Sequence, residues 1–318
     1  MNLSQIRQEA EERLQQDQGH FSQLVFVHTA ITAGASLLLM LLSWLSSSIN
    51  PGGGLSNMDA QNLLSTGQTM LQFAIGILSP IWEAGLIFCA LKLIGRQEYT
   101  NRDLTSGFRR WGAILSSLIL RGLIYFGICM ACYFASSILL TFVPMPGSVK
   151  TDLDAFLAAP SFPLATSLYY LMGVFGLIFA ITLCCVLVPR VYLHRLVEYR
   201  IMDCDSCGGM QAIFHSRILM KGHRKELFFL DLSFWWYYLL EAGILALSLG
   251  YLFFPGLGMS ADVAIWVFTV ISLLAQLALY RFAKSKLAIT YGIFYQKIFE
   301  ESTKQPDTPQ EAQQEEEQ

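Results

Sequence analysis

Apolar residues in this chain come in long blocks separated by short polar ones. Six of these blocks reach the roughly 20 apolar residues needed to cross a bilayer core about 30 Å thick. They fall at approximately 22–46, 67–94, 112–143, 163–189, 227–254 and 259–280. The third and fifth are long enough to require tilt or extension beyond the lipid. Backbone polar groups in lipid must be satisfied within the segment, which makes these blocks helices. The alternating ten-residue segments of a membrane barrel do not occur. The pattern therefore predicts an all-α fold, a polytopic membrane helix bundle with six transmembrane helices.

The polar stretches give the rest of the organisation. Residues 1–20 contain "LSQIRQEAEERLQQDQ", strong helix formers that predict a cytoplasmic amphipathic helix leading into the six-helix domain at 21–300. In "KTDLDAFLAAPS", Thr151 is an N-cap candidate for one short helix, bracketed by Pro144, Pro146, Pro160 and Pro163. The loop at 190–226 is the most informative polar region. "RVYLHRLVEYRIMD" continues the fourth helix, and "GGMQAIFHSRILMKGH" places Met210, Ile213, Phe214, Ile218 and Met220 near helical spacing. An amphipathic basic helix on the inner leaflet fits this stretch; packing against neighbouring helix ends fits it equally. Residues 301–318, rich in Gln, Glu and Pro, are too polar to fold and are expected to form a disordered acidic tail.

Composition supports lipid as the solvent. The chain is 54% hydrophobic and 14% charged, with a mean hydropathy of +0.46, whereas soluble domains carry about 25% charged residues. The net charge of −3 hides a segregation. Acids crowd the C-terminus, while Lys and Arg gather at the N-terminus and after the second, fourth and sixth runs. The intervening loops hold one base, Lys150. By the positive-inside rule both termini are cytoplasmic, as an even number of spans requires, and the plasma membrane is the expected location. The polar first twenty residues do not read as a cleavable signal peptide. None of the seven cysteines sits in an expected outer loop, so no structural disulfide is expected.

Several side chains break the apolar pattern. Glu83 lies roughly 18 Å from the inner end of the second span and Arg121 roughly 14 Å from that of the third, at 1.5 Å rise per residue. A short inner loop joins these spans, which makes them antiparallel neighbours. A lone charge at mid-bilayer costs at least about 2.5 kcal/mol, so a Glu83–Arg121 pair is expected, as a structural pin or as part of a binding path. Glu241 lies roughly 21 Å into the fifth span with no evident partner, near Tyr238 and Ser248. Ser79–Pro80 can bend or break the second helix, because proline removes a backbone donor. Glu83, Arg121 and Glu241 form the candidate intramembrane polar site. Asp231, roughly 6 Å into the same span, reads as a boundary acid able to reach water. The tract "FFLDLSFWWYYLL" around it lies near the depth of an interfacial aromatic belt. Before that tract, Arg217, Lys221, Arg224 and Lys225 form an inner-leaflet basic rim.

Signals for catalysis are absent: there is no H-E-x-x-H, G-x-S-x-G or phosphate-binding lysine loop. Cys204-x-x-Cys207 has no second pair at finger spacing, so no zinc site, other metal or cofactor is expected.

"SPIWEAGLIFCALKLIGRQEYTNRDLTSGFRRWG", "DCDSCGGMQAIFHSRILMKGHRKELFFLDLSFWWYYLL" and the closing "ITYGIFYQKIFE" resemble the motifs of an uncharacterised six-helix bacterial integral membrane family, domain of unknown function nine-seven-five. The resemblance extends from the N-terminal helix to about residue 300 and implies a membrane protein without an assigned activity. The CxxC departs from the family pattern. A more distant likeness is to the membrane domain of glycerophosphodiester phosphodiesterases, whose catalytic barrel has no counterpart in these residues.

Together these features lead us to expect a non-enzymatic membrane scaffold or accessory factor. It would bind lipid, a membrane protein partner or a second copy as a homodimer, and no nucleic acid. The alternative is a transporter or permease subunit using Glu83, Arg121 and Glu241.

Overall fold

A computed structural model describes residues 3–48, 55–143, 165–250 and 261–304. The expected helix at Thr151, its bracketing prolines and residues 305–318 of the expected acidic tail lie outside the described residues; residues 301–304, assigned to that tail, are helical. Among the described residues there is helix and no strand. In chain order the helices are α1 (Leu3–Gln16), α2 (His20–Ser48), α3 (Leu55–Ile94), α4 (Ser106–Arg109), α5 (Trp111–Leu140) and α6 (Ala165–Leu193). They continue as α7 (Val197–Asp203), α8 (Gly209–Leu219), α9 (Arg224–Ser233), α10 (Trp235–Ser248), α11 (Ala261–Leu279) and α12 (Ser285–Lys304). A 3-10 turn, Asn101–Thr105, precedes α4.

Among the described residues, five helical stretches are long and apolar enough to cross a membrane: His20–Ser46, Asn62–Ile94, Trp111–Leu140, Met172–Asp203 and Val263–Thr303. These correspond to five of the six apolar runs. The remaining run, 227–254, is divided at Phe234 into α9 and α10, of 10 and 14 residues, and its last residues lie outside the described ones. At the division the Ser233 hydroxyl donates to the Leu230 carbonyl at 2.6 Å, and the Phe234 amide turns back to the Asp231 carbonyl at 2.9 Å. Hydroxyl back-bonding of this kind bends helices, but Thr29, Thr182 and Ser272 make it within unbroken ones, so it does not by itself set the break. Pro80, by contrast, lies inside α3 and leaves it a single helix of 40 residues.

The chain forms two compact units, Met1–Ser116 with Leu196–Gln318, and Ser117–Arg195. In the first, α2 packs along α3, and α3 also meets the 101–109 segment, α7 and α12. The core gathers where these converge, with Phe21, Ile81, Leu104, Leu196, Ile201 and Phe294 all buried. α1 packs on α12 through Ile6 and Ala10, and Lys286–Glu11 and Lys297–Glu9 pair at 3.0 and 2.8 Å. The expected amphipathic helix thus uses its apolar positions within the protein. In the second unit, α5 and α6 expose Leu123, Phe126, Phe134, Leu177 and Ile181. Apolar surface on this scale is what lipid, and not water, accommodates.

The 3-10 turn is fastened to the end of α3. Asp103 accepts from Lys92 Nζ at 2.9 Å and from the Thr100 amide at 2.8 Å. Burial pushes the Asp103 carboxyl up, but the Lys92 and Thr100 hydrogen bonds and the lysine's charge outweigh it, holding it below its ordinary value. A depressed carboxylate stabilises the fold above its unfolded pKa, about 3.9, and that stabilisation fades as pH falls toward the lower folded value. The Asp103→Asn variant should therefore be about 1 kcal/mol less stable than the parent at pH 7. In detergent melts that gap should narrow steadily below about pH 4; a gap independent of pH would exclude this source of stability.

Candidate functional site

Polar chemistry in the first unit collects around one irregular turn. Between α11 and α12, residues Tyr280–Lys284 wind as a π-helix. Such a turn adds a residue to the helical repeat and re-aims the side chains it carries, and π-turns recur at functional sites. Here the first and last residues of the turn each engage one of the predicted acids. The Tyr280 hydroxyl donates to Glu241 Oε1 at 2.6 Å. Lys284 Nζ lies 3.3 Å from Glu83 Oε1 and also sits over the Tyr280 ring, 5.0 Å from its centroid.

A cavity of about 560 Å³ opens beside Glu241, between α10 and α11. Its polar lining comes from Tyr238, Glu241, Ser248, Thr269, Ser272, Gln276 and Tyr280. Ser272 donates to the Thr269 carbonyl of its own helix at 2.8 Å. The cavity's character is therefore set by one carboxylate, an amide and tyrosine hydroxyls on otherwise apolar walls. A site of this kind favours a small ligand with a positive charge or several hydrogen-bond donors.

A second hydrogen-bonded chain reaches the same cavity. Tyr291, on α12, donates to Asp231 on α9, and its hydroxyl lies 3.2 Å from that of Tyr238. Asp231, read from its depth as a boundary acid, is half-buried and also accepts from a tyrosine 60 residues further on. Close by in α2, His28 is only 4% exposed. Neither of its ring nitrogens has a hydrogen-bond partner among the described residues. The charges acting on it are those of Lys284 and Glu83.

The three predicted site residues are thus distributed between the units. Glu83 and Glu241 lie in the first, engaged by opposite ends of the π-turn. Arg121 lies in α5 of the second, where its Nε donates to the Ser117 carbonyl at 3.3 Å. The basic rim is present as Arg217 at the end of α8, Lys221 in the following turn, and Arg224 and Lys225 opening α9. The last three of these are exposed. Sequence reasoning missed Tyr280, Lys284, Tyr291 and His28. Lys284 was counted only as one more inner base, and Tyr280 as the end of an apolar run.

One prediction is overturned outright. Cys204 and Cys207 are joined by a disulfide, with Cα atoms 5.5 Å apart. The expectation of none rested on compartment, whereas the turn between α7 and α8 sets the geometry. Its Cys207 amide closes onto the Cys204 carbonyl at 3.5 Å, leaving the Cα pair within the range a disulfide spans.

No curated protein and no solved structure matches the chain. A family model described as "Protein of unknown function (DUF975)" matches residues 1–302, which include the whole π-turn site, the basic rim and the cysteine pair. The chain belongs to this family of unknown function, DUF975.

Proposed function

We propose that this is a multi-pass protein of the plasma membrane, with six spans and both termini cytoplasmic, that binds a small cationic ligand at Glu241 in the manner of a permease. The observation that carries this reading is the cavity of about 560 Å³ beside Glu241. A carboxylate within apolar helices is costly unless it is partnered, and such residues mark ligand or ion paths in membrane proteins. Its partner here is a neutral phenol, which leaves the negative charge available to a cation. The π-turn ties this carboxylate to the Lys284–Glu83 pair, so a ligand that drew Tyr280 away from Glu241 would act on both. Orientation follows from the distribution of Lys and Arg along the chain.

The test uses the purified chain in detergent, probed by thermal shift with sodium, potassium, ethylammonium and ethanolammonium. A ligand that binds only the folded state raises the melting temperature as its concentration passes Kd. At least one of these cations should stabilise the parent, and the Glu241→Gln variant should bind it at least tenfold more weakly. Equal shifts in parent and variant, or none in either, would remove the reading.

A specific observation supports a second reading, the accessory factor. α8 buries Ala212, Ile213 and Ser216 and exposes Met210, Phe214 and Ile218 as one outward stripe, with Arg217 and Lys221 beside it. One face packs and the other is unpartnered, so both sequence-based readings of this helix apply. A basic helix with an outward apolar stripe suits an anionic leaflet. A photo-crosslinker placed at Phe214 should then give lipid adducts in native membranes; adducts confined to water would exclude this reading.

A further inference from the structure

The cysteine pair lies apart from the Glu241 cavity and has chemistry of its own. Of the seven cysteines, Cys89, Cys129, Cys132, Cys184 and Cys185 sit within the long apolar helices α3, α5 and α6. Cys204 and Cys207 alone lie in a polar turn, half-buried and bonded to each other. We propose that Cys204 and Cys207 are a redox-active dithiol–disulfide site that exchanges with low-molecular-weight thiols and disulfides.

The two sulfurs lie at opposite kinds of helix end, although the Arg110 guanidinium offsets part of the negative end of α7. α7 ends at Asp203, so Cys204 follows directly on the carbonyl end of a helix. Cys207 lies just ahead of Gly209, where α8 begins, and so meets the amide end of an 11-residue helix. Helix N-termini favour negative charge and C-termini disfavour it, and thiolate chemistry follows that difference. Cys207 is therefore the attacking thiolate and Cys204 the resolving one. The turn is also held in place independently of the S–S bond. The Arg110 guanidinium donates to the Ile201 and Cys204 carbonyls and to the Asp205 carboxylate, inside the cysteine loop itself. With the bond broken, this clamp on Cys204 and Asp205, with the Cys207 amide's hydrogen bond to the Cys204 carbonyl, still shapes the turn, the preorganisation that closure of a dithiol requires.

The exchange balances as follows. In the reduced chain the Cys207 thiolate attacks one sulfur of a small disulfide, RSSR. Its S–S bond breaks, and RS⁻ leaves and takes up a proton. The Cys204 thiolate then attacks Cys207 Sγ in the mixed disulfide, and the second RS⁻ leaves. Two cysteine thiols are oxidised to the disulfide, and RSSR is reduced to two RSH. Two RSH reverse the sequence. Oxidation pins the end of α7 to the start of α8, and with it the outward stripe that α8 carries.

The experiment equilibrates the purified full chain across a series of reduced-to-oxidised glutathione ratios, quenches with acid, alkylates and maps peptides by mass. Cys204 and Cys207 should become alkylated together, through one two-electron transition. The Cys204→Ser variant should trap glutathione on Cys207 at least tenfold faster than Cys207→Ser traps it on Cys204. The proposal is overturned if the disulfide persists at fully reducing ratios, if the two cysteines titrate independently, or if the two variants trap glutathione at equal rates. The parent chain's titration decides the outcome even if either variant fails to fold.

Discussion

Replacing Gly107 by alanine is expected to abolish the folded first unit. A Cβ added at Gly107 would lie 1.9 Å from the Ile81 carbonyl oxygen, and one added at Gly85 would lie 1.9 Å from the Leu104 carbonyl oxygen. The two glycines interlock. Each belongs to one of two backbones, α3 and the 101–109 segment, and each allows the other's carbonyl to approach. No side chain can swing aside, because the obstructing atoms are backbone. Relief requires prising the segment off α3 and exposing Leu104 and Ile81, which are buried at that contact. Overpacking a core that can adjust costs roughly 1–3 kcal/mol. Here adjustment is unavailable, and the loss competes with a typical total stability of about 5–15 kcal/mol. Gly107→Ala and Gly85→Ala should each fail to give a monodisperse peak by size exclusion in detergent. Gly112→Ala is the control: a Cβ there meets nothing within 4 Å, and the helix gains from alanine. A well-folded Gly107→Ala chain melting near the parent's temperature would show that α3 and this segment do not pack as described.

The legibility of this protein in its sequence follows from the physics each feature depends on. The long apolar helices were readable because the roughly 20-residue length set by lipid leaves an unmistakable block. The division of 227–254 was not, because the turn at Phe234 leaves the apolar run continuous and hydropathy does not record it. Glu83 and Glu241 stood out because charge within an apolar run is conspicuous. Their partners did not, because Tyr280 lies 39 residues beyond Glu241 and Lys284 meets Glu83 from another helix, and hydropathy does not record which helices meet. The partner of Asp231 was hidden for a related reason: depth along a helix says nothing of a tyrosine arriving from α12. The disulfide was not legible because compartment says nothing of a tight turn between two helices, which brings the Cα atoms of Cys204 and Cys207 to 5.5 Å. Arg110 was counted in the basic loop, where its sequence context makes it look like its neighbour Arg109.

That resemblance between neighbours yields the second large effect. Arg109 and Arg110 should behave very differently when replaced. The Arg109 side chain is 82% exposed and approaches Asp205 at 3.7 Å, an acid itself 86% exposed, so Arg109→Met should change stability by less than about 0.5 kcal/mol. The Arg110 side chain is 14% exposed and donates to the carbonyls of Ile201 and Cys204 at the end of α7. The last carbonyls of a helix have no partner within it, so this guanidinium caps α7. Burial, with Arg109 alongside, pulls its pKa below the ordinary value, yet an arginine stays charged throughout the usable pH range. Methionine keeps much of the stem and removes every donor. Each charge-assisted hydrogen bond is worth about 1.5–3 kcal/mol, so Arg110→Met should cost about 3 kcal/mol or more. Lysine restores the charge without the fork and should recover only part of that loss. Hydrogen exchange locates the effect: amides of α7 and the 204–208 turn should exchange faster in Arg110→Met and unchanged in Arg109→Met. Equal losses in the two methionine variants would mean that Arg110 is a surface base like its neighbour, and that the turn carrying Cys204 and Cys207 is held by the disulfide alone.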